Sequence, residues 1–325
     1  MAHNSESAVR AALVANGLIA AMKLVGALLS GSAAMMAEFK HSVGDFGNSF
    51  FLLVGIKQAE RPKDERYQFG HGKRVFFWSF IASLGMLFIG GALSIYGGVL
   101  KILHPEPLEH VGLNLIILGL SILFEIYSFT MAVRAIASET GLEARGLSFL
   151  TGAVAAISRA TPATRFIMLE DTAALFGLVT AGGAIMLAEA TGNLLFDGIA
   201  SILIGILLLF IGIGTARENA AAILGESAGP EFIEQIGDFT MSLPGVVDVH
   251  SIRSMSVGPN SYLLEMVIEA NEKMAIGECD DIGFNVKKQI KARFKEISFA
   301  HIAVIADDKR RHWRVLEMEQ PELNK

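Results

Sequence analysis

The sequence predicts a membrane protein in two parts, a bundle of six transmembrane α-helices followed by a cytoplasmic α+β domain. Its 325 residues are 52% hydrophobic and only 18% charged, with a mean hydropathy of +0.48, which is too apolar for an ordinary soluble protein. Long apolar stretches fill most of the chain. A region of roughly a hundred residues with soluble character follows them.

Six stretches approach or exceed the ~20 apolar residues that a membrane-spanning helix needs. They lie at residues 9–30, 33–56, 75–100, 111–135, 165–187 and 194–214. Basic residues concentrate between the second and third stretches and between the fourth and fifth, whereas Lys101 is the only lysine or arginine of the opposite loops. This bias predicts that both termini and both basic loops lie in the cytoplasm. The amphipathic segment 146–160 is expected to lie along the membrane surface.

The character of the sequence changes near Arg217, which predicts a transmembrane domain at 1–216 and a cytoplasmic domain at 217–325. Periodicity in the second domain predicts the order αββαβ, with helices on one face of a small sheet. The expected elements are a helix at 231–243, strands at 246–255 and 262–270 around a turn at 258–260, a helix at 276–294 and a strand at 298–306.

Charge and cysteine content exclude several classes of protein. A net charge of −6 and a pI near 5.8 give no reason to expect nucleic-acid binding. The single cysteine, Cys279, excludes an intramolecular disulfide and any cysteine-rich zinc motif. A reducing, cytoplasmic setting for its domain is the simple interpretation.

An ionisable side chain inside an apolar span costs free energy, so such residues are candidates for function. His41 and Asp45 are four residues apart in the second span, which places them on one face of a helix, one turn apart. Glu170 and Asp171 lie in the fifth span. One histidine nitrogen with carboxylate oxygens from two helices would suit a first-row divalent cation. A buried structural hydrogen bond between His41 and Asp45 is the alternative.

Glu170 and Asp171 cannot both point directly at the same site, because adjacent residues on a helix point ~100° apart. We expect Asp171 to be the metal ligand. Glu170 is either a fourth ligand or a partner for a neighbouring helix.

The other charged residues in the spans indicate a function less specifically. Glu38, one turn before His41, either widens the site, guards its entrance or is an interfacial carboxylate that snorkels to the membrane surface. Lys23, Glu125 and Asp197 are expected to satisfy one another or free backbone groups rather than to bind metal.

Three segments resemble those of the cation diffusion facilitator family of divalent-metal transporters, and the similarity covers nearly the whole chain. They are AEFKHSVGDFGNS at 37–49, RPKDERYQFGHGKRV at 61–75 and FDGIASILIGILLL at 196–209. The resemblance implies a homodimer in the cell membrane, with a metallochaperone-like, ferredoxin-like cytoplasmic domain. It also implies export of zinc by alternating access in exchange for protons, no enzymatic activity and no cofactor other than the transported ion.

The fifth span departs from the family pattern. The family carries H-x-x-x-D there, and Asp171 matches the aspartate, but Ile167 stands at the histidine position. LEDTAALFG, with Glu170 beside Asp171, resembles a divergent branch that includes mitochondrial zinc carriers. Without this imidazole, hard oxygen ligands make up more of the site, and the site is less selective for zinc. Manganese, iron and cobalt therefore remain candidate substrates beside zinc.

Family members often have a second metal site in the loop after the second span. This chain keeps Asp64 and His71 but has Tyr67 in place of a histidine. Metal binding by Asp64 and His71 and a structural capping role are both open.

The cytoplasmic domain keeps fewer of the metal-binding positions of the family. His250 and Asp307 match such positions, whereas Val267 and Ile305 stand where histidines are common. We therefore expect mainly a dimerisation module, in which His250 is a possible metal ligand.

The predicted mechanism follows from competition for the same atoms. Metal binding needs neutral His41 and ionised Asp45 and Asp171, so metal and protons exclude each other at these three residues. Two other classes of function remain open: a metal sensor or scaffold that does not transport, and a membrane metalloenzyme.

Overall fold

The computed structural model describes residues 2–140, 152 and 162–313, so most of the predicted surface segment at 146–160 lies outside the described residues. The chain divides into two compact units. The helical unit comprises Met1–Leu53 and Ser79–Arg217, and the C-terminal unit comprises Val54–Trp78 and Glu218–Lys325.

Long helices fall where the six spans are predicted. A π-helical segment, Met86–Ala92, joins α3 to α4, so these two form one continuous helix. The helices are α1 Ala2–Ser30, α2 Ala33–Ala59, α3 Arg74–Gly85, α4 Leu93–Leu103, α5 Val111–Thr140, α6 Pro162–Thr191 and α7 Leu195–Leu224.

Five helices of the described chain are long and apolar enough to cross a membrane, one fewer than the sequence predicts. The exception is α2, which has 27 residues and a length of about 40 Å. It contains Glu38, Lys40 and Asp45 in its first half, so it is less apolar than the others. The helix that falls short of this criterion is therefore the one that carries the predicted ligands His41 and Asp45.

Buried apolar side chains from α1, α2, α5, α6 and α7 form the core of the helical unit, including Met35, Leu118, Leu178 and Ile204. Elsewhere glycine permits close backbone approach. A Cβ at Gly98 would lie 2.6 Å from the carbonyl oxygen of Gly198, so α4 and α7 meet there without side chains between them. The prediction of a packed bundle is confirmed.

The C-terminal unit contains the predicted order αββαβ. Its elements are α8 Pro230–Met241, β1 Asp248–Gly258, β2 Ser261–Ala270, α9 Ile276–Arg293 and β3 Ile297–Ala306. The three strands form one sheet in the order β1-β2-β3, with β1 and β2 antiparallel and β2 and β3 parallel. Asn260, in the predicted turn, has a φ of 48° and reverses the chain between β1 and β2.

One apolar core joins the sheet to both helices of this unit. Ile236 of α8 and Ile290 of α9 pack with Val249, Leu264 and Ile268 of the strands, and all five are fully buried. Burying one face of the sheet fixes the register of the strands. That register places the start of β1, the end of β2 and the end of β3 along one edge.

Candidate metal centre

A carboxylate from α7 fixes the N-terminal end of α2. Asp197, in the first turn of α7, accepts a hydrogen bond from the Ser32 hydroxyl at 2.6 Å. It also accepts the backbone N–H groups of Ala33 at 2.7 Å and Ala34 at 3.1 Å. The Ser32 hydroxyl in turn accepts the N–H of Met35 at 3.0 Å, as an N-cap residue does. Asp197 therefore satisfies free backbone groups, which is one of the two roles predicted for it.

His41 and Asp45 lie one turn apart on α2, as their spacing predicts. Nε2 of His41 is 3.6 Å from Oδ1 of Asp45, which is too long for a hydrogen bond. Both atoms are buried, and neither has a hydrogen-bond partner among residues 2–140 and 162–313. Two unpartnered ligand atoms therefore face each other inside the bundle.

Asp171 on α6 faces α5. Each of its carboxylate oxygens lies 3.1 Å from the Ser128 hydroxyl, which has a single proton to share between them. The Asp171 carboxylate also interacts electrostatically with Asp45. Lone pairs that Ser128 leaves free are available to a cation.

Glu170 points to a different side of α6. The face of α6 that meets α2 is marked by Gly177, which lies next to Glu38. A Cβ added at Gly177 would come within 2.5 Å of Oε1 of Glu38. Glu170 precedes Gly177 by two turns, and Asp45 follows Glu38 by two turns. Glu170 and Asp45 interact electrostatically. The two helices therefore run antiparallel, and Glu170 lies on the side of α6 that faces α2.

Carboxylates of α2, α5 and α6 interact electrostatically with one another, but they lie too far apart to coordinate one ion together. Asp45, Glu125, Glu170 and Asp171 interact with one another. In the described part of the chain, three or more histidine or carboxylate ligand atoms lie within 4.8 Å of one another only in the C-terminal unit. Complete coordination of an ion by α2 and α6 thus needs a closer approach of these helices.

Glu38 is not an interfacial carboxylate, and the prediction that it snorkels to the membrane surface is wrong. Its side chain is fully buried and forms an ion pair with Lys23 of α1, with 2.8 Å between Oε2 and Nζ. Packing of α1 against α2 brings the two charges together inside the unit, where pairing costs less than leaving either one alone.

Asp64 and His71, in the loop after α2, contact each other. Oδ2 of Asp64 lies 3.1 Å from Nε2 of His71, and Oδ1 accepts the backbone N–H groups of Arg66 at 3.0 Å and Tyr67 at 2.7 Å. The Tyr67 N–H, followed by His71, holds the pKa of Asp64 below its usual range. This geometry favours the capping role, because both Asp64 oxygens are already engaged.

Four potential ligands converge in the C-terminal unit, and we call them the C-terminal cluster: His250, Glu269, Asp308 and His312. One ligand atom of each lies within 4.8 Å of those of the others. Oε1 of Glu269 is 3.0 Å from Nδ1 of His250 and 3.3 Å from Nδ1 of His312. Glu269 is fully buried, so water does not reach its carboxylate.

Strand register assembles the C-terminal cluster. Asp248, the first residue of β1, pairs with Glu269 near the end of β2, and Ala270 pairs with Ala306 at the end of β3. The segment after β3 therefore returns to the start of β1. There the buried Asp248 accepts the backbone N–H of His312 at 2.6 Å, which fixes the position of the imidazole.

The sequence prediction for this region named His250 together with Asp307. The C-terminal cluster contains Asp308 and not Asp307, so the structure brings only His250 of these two residues into it. Sequence reasoning missed Glu269 and His312 as well. The spacing of four between Asp308 and His312 was the available signal, since it allows two side chains to meet in one turn of chain.

Two family profiles match the chain. The profile described as the cation efflux transmembrane domain matches residues 9–224. The profile described as the cytoplasmic domain of cation efflux proteins matches residues 228–304. Together they extend over both units.

The chain is also similar to known individual proteins. It is 31% identical to the mitochondrial proton-coupled zinc antiporter of Xenopus laevis, over 76% of this chain and 43% of that protein. The corresponding antiporter of Homo sapiens is 30% identical over 77% of this chain and 43% of that protein. Metal tolerance protein C4 of Arabidopsis thaliana is 28% identical over 84% of this chain and 59% of that protein. The chain thus spans less than two thirds of the length of these relatives.

Proposed function

Because this chain belongs to the cation efflux family of multi-pass membrane proteins, we propose that it exports a divalent metal cation, foremost zinc, in exchange for protons. Two similar proteins are themselves named proton-coupled zinc antiporters. We assign the transported ion to His41 and Asp45 of α2 and Asp171 of α6, with Glu170 as the fourth candidate ligand.

The pair of unpartnered ligand atoms on α2 carries this proposal. Zinc binds imidazole nitrogen and carboxylate oxygen at about 2.0–2.2 Å, and tetrahedral geometry then separates two such atoms by about 3.4 Å. Nε2 of His41 and Oδ1 of Asp45 are 3.6 Å apart. One ion can be held by both atoms with almost no rearrangement of α2.

Carboxylates of α6 would complete the coordination. Asp171 has oxygen lone pairs that Ser128 does not use, and Glu170 lies on the side of α6 that faces α2. Either would add a negatively charged oxygen to the nitrogen and oxygen of α2. Such a set binds zinc and also suits harder divalent cations.

The exchange with protons follows from the chemistry of these ligands. His41 coordinates a metal only when neutral, and Asp45 and Asp171 only when ionised, so protonation of the site releases the ion. A site that faces the two sides of the membrane in turn would take up metal on the cytoplasmic side and lose it to protons on the other.

Metal uptake by proteoliposomes with an acidic lumen tests this proposal. We expect zinc to enter as protons leave, and we expect Asp45→Ala and Asp171→Ala each to reduce the flux to background because each removes a ligand. Glu189→Gln is the matched control, since Glu189 is an exposed carboxylate on α6. Wild-type flux in either alanine variant would remove that residue from the site.

Competition by manganese, iron, cobalt and cadmium in the same assay identifies the transported ion. Ile167 stands where an imidazole would soften the site, so we expect harder cations to compete better than they would at a site with two histidines. Zinc flux that none of these ions reduces would contradict this expectation.

A second proposal concerns the C-terminal cluster, which includes the predicted ligand His250. Two imidazoles and two carboxylates within 4.8 Å form a donor set that suits zinc and related divalent cations. We propose that the cluster binds metal from the cytoplasm and senses its concentration. Metal binding by the whole chain without any flux would favour a sensor alone over a transporter.

The remaining assignments are also proposals. We propose a homodimer in the cell membrane, both termini in the cytoplasm, and a domain boundary between residues 216 and 217. A reporter fused to the C-terminus and active only in the cytoplasm tests the topology. Cross-linking in intact membranes tests the dimer.

A further inference from the structure

A buried ion pair between α1 and α2 has no part in the transport cycle proposed above. Nζ of Lys23 lies 2.8 Å from Oε2 of Glu38, and the two side chains are 3% and 0% exposed. Burying two charges is costly, because each loses its hydration and the attraction between them only partly restores that loss. A pair of apolar side chains would fill the same space at lower cost.

The ion pair lies close to the proposed metal ligands. Glu38 precedes His41 by three residues, a rise of about 4.5 Å along α2, so both are on roughly the same face. The Asp45 carboxylate interacts electrostatically with Lys23 and with Glu38. The charges of this pair therefore act on the metal site.

Only one carboxylate oxygen of Glu38 is engaged. Oε2 accepts the Lys23 ammonium, whereas Oε1 is buried and has no hydrogen-bond partner among the described residues. Oε1 is directed at α6, where Gly177 leaves it room. A buried oxygen with free lone pairs is a potential metal ligand, and the charge of Lys23 offsets its attraction for a cation.

We propose that Lys23 is a fixed counter-cation that masks the charge of Glu38 and thereby sets the affinity of the metal site. This inference rests on the proposed transport function. With Lys23 in place, the ion pair, which lies one turn from His41 on α2, contributes no net charge to the metal site. Without it, a further carboxylate would hold the ion more tightly and slow its release, which a transporter must avoid.

Three variants test this role through KM and kcat for zinc uptake. Glu38→Gln leaves the Lys23 charge unbalanced, so we expect KM to rise at least about ten-fold. Lys23→Met leaves the Glu38 charge unbalanced, so we expect both KM and kcat to fall. The double variant removes both charges, and its KM should return to within about two-fold of wild type. Equilibrium zinc binding in detergent should follow the same order.

A purely structural ion pair gives a different pattern. Both single variants would then lose folded protein and kcat without opposite changes in KM, and the double variant would not recover; either outcome overturns the inference. If Glu38→Gln does not fold, the comparison of Lys23→Arg with Lys23→Met tests the inference instead. Lys23→Arg should keep the wild-type KM, and Lys23→Met should lower it. Absence of flux in the wild type would instead contradict the proposed function.

Discussion

The two acid–histidine sites of this chain differ in how completely they are assembled. In the C-terminal cluster, four ligand atoms from β1, β2 and the segment after β3 lie within 4.8 Å of one another. In the helical unit, His41 and Asp45 meet on α2, whereas Glu170 and Asp171 of α6 come within electrostatic range but not coordination distance.

This difference follows from the secondary structure that carries the ligands. Backbone hydrogen bonds join neighbouring strands along their length, so ligands at strand ends keep fixed separations. Helices in a membrane bundle meet only through side chains and small residues and can shift against one another. A sheet therefore suits a site that retains its ion, and a pair of helices suits a site that must release it.

The largest expected effect is a loss of metal binding at the C-terminal cluster that leaves zinc transport by the helical site almost unchanged. Glu269→Ala removes the carboxylate that contacts both imidazoles of the C-terminal cluster, so we expect metal binding there to weaken at least about 100-fold. Zinc flux at saturating metal should stay within about three-fold of wild type, because the two sites belong to separate units and share no residues. Metal content per chain and proteoliposome flux are the measurements.

Glu265→Ala is the control for that change, because Glu265 lies on the same strand with a 48% exposed side chain. It should alter neither metal content nor flux. If Glu269→Ala abolished flux as well as binding, the two sites could not be treated as separate.

The next effect concerns which metal the helical site prefers. His41→Asp replaces the nitrogen ligand by oxygen, so we expect the ratio of zinc to manganese transport to fall about ten-fold. His301→Asp is the control, since His301 is exposed on β3. An unchanged ratio in the His41 variant would show that this imidazole is not a ligand.

A smaller effect is expected on the stability of the helical unit. Asp197→Ala removes the acceptor of the α2 N-terminus, which should lower the free energy of unfolding by about 1–2 kcal/mol. Denaturant unfolding in detergent measures it, and metal affinity at the C-terminal cluster should not change. Wild-type stability would mean that Ser32 alone caps α2.

The smallest effect is expected in the loop after α2, where Asp64 is 52% exposed. The pKa of Asp64 is held below its usual value, so its charge stabilises the loop fully above about pH 4. That contribution is lost as the pH falls through the lowered pKa. Asp64→Asn should therefore be cleaved by protease in this loop slightly faster than wild type at pH 7, and the difference should shrink as the pH falls below about 4. A difference that grows as the pH falls would contradict this account.

Local signals in the sequence were enough to predict most of the fold. Apolar runs indicated the long helices, and the alternating pattern around the turn at 258–260 indicated the hairpin of β1 and β2. His41 and Asp45 could be paired because their spacing is local to one helix.

Contacts between distant elements could not be predicted in the same way. The Lys23–Glu38 pair depends on how α1 packs against α2, and a single carboxylate near a helix end looks like an interfacial residue until its partner is known. Glu269 and His312 are separated in sequence by the whole of α9 and β3, and strand register brings them together. Such sites require the tertiary arrangement.

The attachment of α2 to Asp197 makes that end of the helix a pivot. Any swing of α2 about Ala33 moves each residue in proportion to its distance from the pivot. Asp45 is about 18 Å away, so a swing of about 5° displaces it by about 1.6 Å. The proposed ligand Asp45 thus lies where a rotation of a few degrees changes its position by a large part of a metal–ligand bond length, which is about 2.0–2.2 Å.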